Sequence, residues 1–379
     1  MSGIYLDYAA ATPMDPKVLA AMQPYFSDYF FNPSATYAAA QTVRKDVEAA
    51  RARIAHWFGA RPTEIVFTAG GTEANNLAIR GVLGQFPEGN IVTTTIEHDS
   101  VLETVKQFEH HLAPVDTDGI VDVAKLIASI DDQTVLVSVM YANNEVGTVQ
   151  PIREITSKIA TIREKRRQDG NKMPLYFHTD AAQAAAYLDL HAARLGVDLL
   201  TINAGKIYGP KQVGALYAGS HVWFKAQISG GGQERGARSG TENVPGIMGL
   251  ARALDLVQER RHDEVRRLQT LQKLFIDLLS KQIPTAVING SRTHRLPNNI
   301  HLTIPGQDNE RLIFALDEEG ILCAAGSACS ASNDEPSHVL RAMGASDADA
   351  QSSLRFTMGR QTTEADIKTV VEKVATLTR

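Results

Sequence analysis

The stretch "DLLTINAGKIYGP", Asp198–Pro210, decides the fold. An apolar run of strand type, DLLTI, opens into a polar, glycine-punctuated loop with one lysine, Lys206, at its centre. Such a lysine is either an ordinary surface residue or an amine held where strand ends meet, ready to form a Schiff base. The same pattern recurs on both sides of it. Short runs rich in Val, Ile and Thr stand at EIVFT, NIVTTTI, TVLVSVMYA, PLYFH and VGALYAG, and most are separated by enough chain for a helix. Strand, helix and strand in series predict an α/β fold with a mostly parallel sheet and helices on its faces.

Farther out, Val43, Val47, Ala50, Ile54 and Trp57 recur at spacings of four and three, and Gly59 can end the helix they imply. After about residue 250 the alternation stops. The amphipathic segment "LARALDLVQERRHDEVRRLQTLQKLFIDLLSKQ" reads as one long helix leaving the first domain. AVING, NNIHLTI and the helix-like NERLIFALDEEG follow it. The chain closes on EADIKTVVEKVATL, with Ile367, Val370, Val371, Val374 and Leu377 on one face. A smaller α+β domain is expected here. The large cofactor-binding domain is placed at 15–255, and the small one at 1–14 together with 256–379.

Composition bounds the rest. The 379 residues are 44% hydrophobic and 21% charged, as in an ordinary globular protein. A net charge of −5 argues against a surface that coats nucleic acid. The basic run REKRRQDGNK (Arg163–Lys172) reads as a solvated helix end and loop. Two cysteines, Cys323 and Cys329, exclude a disulfide framework and suit a reducing compartment. No signal-like or membrane-spanning run is present, so a cytoplasmic protein without a membrane partner is expected.

In an open parallel sheet, ligands sit beyond the carboxyl ends of the strands. The expected strand ends carry AGGTEANN, EHDS, NNEVGT, TDAAQ and NAGK. Gly70, Gly71 and Thr72 precede a helix whose first N–H groups suit a phosphate; the alternative is a tight turn with Thr72 as N-cap. Asp180 is either the cap of the next helix or a buried carboxylate facing a cationic ring nitrogen. His98 by itself is as readily structural as catalytic. An aspartate and a lysine at strand ends beside a phosphate turn form the arrangement that pyridoxal 5'-phosphate needs.

With these residues in view, the sequence resembles the cysteine desulfurases, aminotransferase-like (fold-type I) pyridoxal-phosphate enzymes. The resemblance is carried by YLDYAAATP, NPSA, FTAGGTEANNLAI, EHDSV, NNEVGTVQP, HTDAAQA, GKIYGPK, GGGQERGARSGTEN, GSACSA and SLRFTMGR. It implies a seven-stranded-type sheet and a homodimer with sites at the subunit interface. Lys206 would hold the cofactor as a Schiff base, Asp180 would pair with the ring nitrogen, and His98 would stack on the ring and assist proton transfer. Asn144 and Gln183 would bond the side of the ring that bears the phenolic oxygen. Gly71 and Thr72 would hold the phosphate, with Asn203 able to donate through its amide and Thr241 reaching in from the partner subunit. Arg355 would bind the carboxylate of L-cysteine. Cys329, in a segment of small residues, would be the nucleophile that takes the sulfur as a persulfide, while Cys323 reads as a strand residue. The GSAC form resembles the branch that hands sulfur to a scaffold protein, as in iron–sulfur cluster assembly. No metal is expected.

The sequence departs from the family at the opening stretch. The family usually has serine, any residue, histidine and lysine where this chain has Asn203, Ala204, Gly205 and Lys206. The missing histidine removes one phosphate contact, for which water, a backbone N–H, Arg235 or Arg238 would have to compensate. Tyr37 and Gln212 stand where histidine and glycine are common, and AAAYLD departs from the family's glycine and lysine. Two other readings stay open: a selenocysteine lyase-like enzyme, and a cofactor-poor scaffold for sulfur transfer. Retention of both Lys206 and Cys329 argues against the scaffold.

Overall fold

The apolar runs form the middle of a twisted sheet that presents its strand ends to one edge. The computed structural model describes residues 3–326 and 336–379. Their strands are β1 (Ile4–Tyr5), β2 (Ile65–Thr68), β3 (Asn90–Thr94), β4 (His110–Ala113), β5 (Thr134–Ser138), β6 (Tyr176–Asp180), β7 (Leu199–Asn203), β8 (Gly214–Ala218), β9 (Val287–Ile288), β10 (Asn299–Thr303), β11 (Ile321–Leu322) and β12 (Ser353–Thr357). Seven of them make the main sheet in the order β2-β8-β7-β6-β5-β3-β4. Every pairing in it is parallel except the two made by β8. Helices cover both faces, so β3, β5, β6 and β8 are buried from end to end and read as unbroken apolar runs instead of alternating ones.

β4 escaped the sequence reading for a physical reason. It is the sheet's edge, and its HHLA sequence is largely solvated. The helix with spacings of four and three spans Ala38–Phe58 and ends on Gly59, whose φ of 60° is the left-handed turn that glycine adopts cheaply. The expected long helix is two helices, Val244–Glu259 and Arg261–Gln282. Arg260, at φ −100° and ψ 0°, leaves helical geometry and turns the chain between them. The second of these packs on the closing helix, Glu364–Leu377. Beside them lies the antiparallel sheet β12-β10-β9. β1 from the start of the chain pairs in parallel with β11.

The basic run is not wholly solvated. Arg166 is 5% exposed and staples the helix Ile152–Gln168 to the carbonyls of Asp131 and Thr134. Arg163 bonds the Leu175 carbonyl and pairs with Asp198. Both cations hold the helix against the sheet. Among the described residues, no helix is long and apolar enough to cross a membrane.

Candidate active site

A cleft of about 510 Å³ opens where β7 ends, and Lys206 lies in it with Asn203, Gly205, Ala10, Ala11, Gly71 and Thr72. β7 stops because Asn203 caps the following 3₁₀ turn, its side-chain oxygen accepting the Gly205 N–H at 3.1 Å. That turn lifts Lys206 off the strand and into the cleft. The N-terminal segment then pins it. Thr12 donates its hydroxyl to the Gly205 carbonyl and accepts the Tyr208 N–H at 2.7 Å. Lys206 Nζ donates to the carbonyls of Ala9 at 2.9 Å and Ala10 at 2.7 Å. Gln183 donates to the same Ala9 carbonyl at 3.0 Å, so the two side chains converge on one acceptor.

The wall opposite is the start of the helix Gly71–Gln85. Its cap is Gly70, and no side chain caps it, so Thr72 lies within the first turn and is not the N-cap. The first N–H groups of a helix have no acceptor inside it. Gly214 lets this wall approach β8, because a Cβ there would stand 2.6 Å from the Ile202 carbonyl oxygen and 2.8 Å from the backbone of Gly70. The Asn203 amide nitrogen would be 3.6 Å from a Cβ on Gly71, so its donor faces the same wall. Backbone N–H groups, the Thr72 hydroxyl and the Asn203 amide thus surround a space that fits a phosphate.

Asp180 ends β6 and is 8% exposed. No helix follows it directly; one oxygen accepts the Ala182 N–H at 2.9 Å and the other accepts Asn75 Nδ2 at 2.7 Å. The same Asn75 nitrogen donates to Ser100 Oγ at 2.8 Å, and Ser100 Oγ lies 2.9 Å from His98 Nδ1. His98 caps the helix Asp99–Val105, its Nδ1 accepting the Ser100 N–H at 3.0 Å. With Nδ1 accepting, the neutral ring carries its proton on Nε2. Behind Asp180, His178 bridges Ser138 and Thr201 across three strands. Burial lowers its pKa to about 4, so it stays neutral beneath the site.

Arg355, on β12, is 1% exposed. Its Nη2 meets Asp7 Oδ1 at 2.7 Å and its Nη1 meets the Asn144 carbonyl at 3.0 Å, while Nε has no partner among the described residues. Asn144 is brought there by Asn143, whose side chain accepts the N–H groups of Glu145 and Val146 and donates to the Ile96 carbonyl. Glu97, wholly buried beside His98, accepts the Met140 N–H and the Thr94 hydroxyl, and burial raises its pKa to about 8.

Thr241 does not line the Lys206 cleft. It borders an adjoining one of about 170 Å³, which shares Ala69 and Gln212 with the first. Its loop is anchored by a buried bidentate pair between Arg51 and Glu234 at 2.6 and 2.8 Å, with Arg51 stacked 4.5 Å above Phe67. Arg235 and Arg238, the arginines considered as substitutes for a side chain at 205, both make other contacts. Arg235 is held by the carbonyls of Thr63 and Ile65, and Arg238 is paired with Glu73 at 2.8 Å.

Cys323 directly follows β11, and burial pushes its pKa up to about 12, which leaves it a poor nucleophile. Cys329 lies outside the described residues. The sequence reading did not single out Asp7, Thr12, Asn75 or Ser100. Their only signal was membership of the runs YLDYAAATP, TEANN and EHDSV.

The family model described as aminotransferase class-V matches residues 4–370. The chain belongs to the aminotransferase class-V family. Among its relatives, one named cysteine desulfurase IscS, from Dictyoglomus turgidum, is 41% identical over 99% of this chain and 96% of its own. Another, from Bacillus subtilis, named putative cysteine desulfurase IscS 1, is 42% identical over 99% and 98%. A solved structure of a NifS-like protein superposes with a TM-score of 0.90 at 32% identity, covering 99% of both chains. A structure described as SspA in complex with cysteine gives 0.81 at 33% identity over 94% of this chain and 98% of its own. The class-V fold is thus shared along essentially the whole chain.

Proposed function

We propose that this class-V chain is a pyridoxal 5'-phosphate-dependent cysteine desulfurase that converts L-cysteine to L-alanine and takes the sulfur onto Cys329 as a persulfide. The observation that carries the reading is the cleft in which Lys206 faces the N-terminus of the helix Gly71–Gln85, which no side chain caps, while Asn75 of the same helix holds Asp180. The names of relatives 41–42% identical over nearly the whole chain support it.

The residues present fit the cofactor. Gly71, Thr72 and Asn203 would hold the phosphate, Lys206 the aldehyde carbon, Asp180 the ring nitrogen, and Gln183 with Asn144 the phenolic side. When bound, pyridoxal 5'-phosphate supplies an electron sink for charge developing at the substrate α-carbon. Asp180, steadied by Asn75, would keep the ring nitrogen protonated. His98 would contact the ring and carry protons through its Nε2. Arg355 binds the substrate carboxylate by its planar fork, which Asp7 and the Asn144 carbonyl hold in orientation. Cys329 then attacks the substrate sulfur. The C–S bond breaks as the S–S bond forms, and the substrate β-carbon keeps the electron pair and gains a proton, so alanine leaves. A thiol acceptor, such as that of an iron–sulfur scaffold protein, would receive the sulfur, and a second copy of the chain would contribute Thr241.

The test is alanine formed from L-cysteine by the purified protein with pyridoxal 5'-phosphate and a reductant. Alanine in wild type and none in Lys206→Ala is expected. Equal alanine from both would refute the proposal.

A further inference from the structure

Gly205 leaves a place beside the phosphate wall that Lys211 flanks. A Cβ built on Gly205 would be 3.8 Å from Lys211 Cγ and 3.6 Å from Asn203 Oδ1, both ordinary contacts. The stem of Lys211 therefore runs along the space that a side chain at 205 would use. Lys211 lines the cleft together with Gly71, Thr72, Asn203 and Lys206. The charged groups around it are already engaged. Lys206 is bonded to two carbonyls, Arg238 to Glu73, Arg235 to the carbonyls of Thr63 and Ile65, and Glu73 also accepts the Ala69 N–H. Lys211 makes no hydrogen bond or ion pair among the described residues.

A phosphate dianion against this wall would meet neutral donors from the helix start, Thr72 and Asn203. It would still lack a cation committed to it. An ammonium on a flexible four-carbon stem at the rim can supply that charge, and a bare glycine at 205 leaves it room to approach. We infer that Lys211 is the phosphate-binding cation of this cleft, serving where residue 205 has no side chain. The inference rests on the functional reading above, and it adds a residue to the cofactor site.

The test is equilibrium binding of pyridoxal 5'-phosphate and of pyridoxal, which lacks the phosphate, to the full-length protein freed of cofactor by dialysis. Lys211→Met should weaken binding of the phosphate form about tenfold, the worth of one charge-assisted contact, and leave pyridoxal binding unchanged. Adding Gly205→His to Lys211→Met should restore most of the loss. Wild-type affinity for the phosphate form in Lys211→Met would overturn the inference while the functional reading stands. Equal weakening of both ligands would also overturn it, because the phosphate would then not be what Lys211 reads. A wild-type protein that binds neither ligand would overturn the functional reading and this inference with it.

Discussion

Asn75 donates its side-chain amide to Asp180 Oδ2 at 2.7 Å, and the same nitrogen reaches Ser100 Oγ at 2.8 Å. One buried amide thus fixes the Asp180 carboxylate, proposed to pair with the ring nitrogen, and, through Ser100, the ring of His98. Asn75→Ala is expected to lower alanine formation about tenfold or more, the worth of one buried hydrogen bond to a charged group. Steady-state rates and cofactor affinity, measured together, check this. A drop in rate without loss of cofactor marks misplacement of the two side chains.

Arg355 is expected to show its role through substrate binding. Lys cannot reproduce a planar fork held at two points by Asp7 and the Asn144 carbonyl. Arg355→Lys should raise KM for L-cysteine about tenfold or more, while pyridoxal 5'-phosphate affinity stays unchanged. An unaltered KM would remove Arg355 from the substrate site.

Gln212 occupies left-handed backbone, with φ of 60°, at a cleft position where the family commonly has glycine. A non-glycine residue there costs roughly 1–2 kcal/mol, partly offset by the entropy that glycine returns to the unfolded chain. Gln212→Gly is expected to stabilise by about 0.5–1 kcal/mol in denaturant titrations. Gln212→Val should destabilise, because a β-branched residue fits that backbone worst.

Glu97 should set a pH dependence of stability. Its folded pKa of about 8 is raised by burial, so the folded state holds a proton that the unfolded state has released. Its contribution is fully present below the ordinary glutamate range and is lost as pH rises from there through about 8. Glu97→Gln should flatten that decline in urea midpoints measured across the window. An unchanged slope would mean that Glu97 ionises normally.

The sheet and its strand ends were legible because fully buried parallel strands write themselves as apolar runs, and the polar residues after them could only lie at one edge. Lys206, Gly71 and Thr72, which line the cleft, were legible that way, and so were the strand-end positions of Asp180 and His98. β4 was not, since an edge strand of HHLA carries no such run. The break at Arg260 was hidden because amphipathic periodicity continues across it. Asp7, Thr12 and Asn75 act on partners far along the chain, and no local spacing announces a contact between residues 7 and 355. The inward turn of Arg166 was hidden for the same reason: in sequence it is one charge in a basic run.

The central claim, transfer of cysteine sulfur to Cys329, is tested most directly by mass spectrometry. The protein with pyridoxal 5'-phosphate is exposed to L-cysteine without reductant, trapped with an alkylating agent and digested. The account predicts one added sulfur on the peptide bearing Cys329, none on Cys323, and none anywhere in Lys206→Ala. Alanine released with no sulfur on Cys329, or with the sulfur found on Cys323, would contradict it.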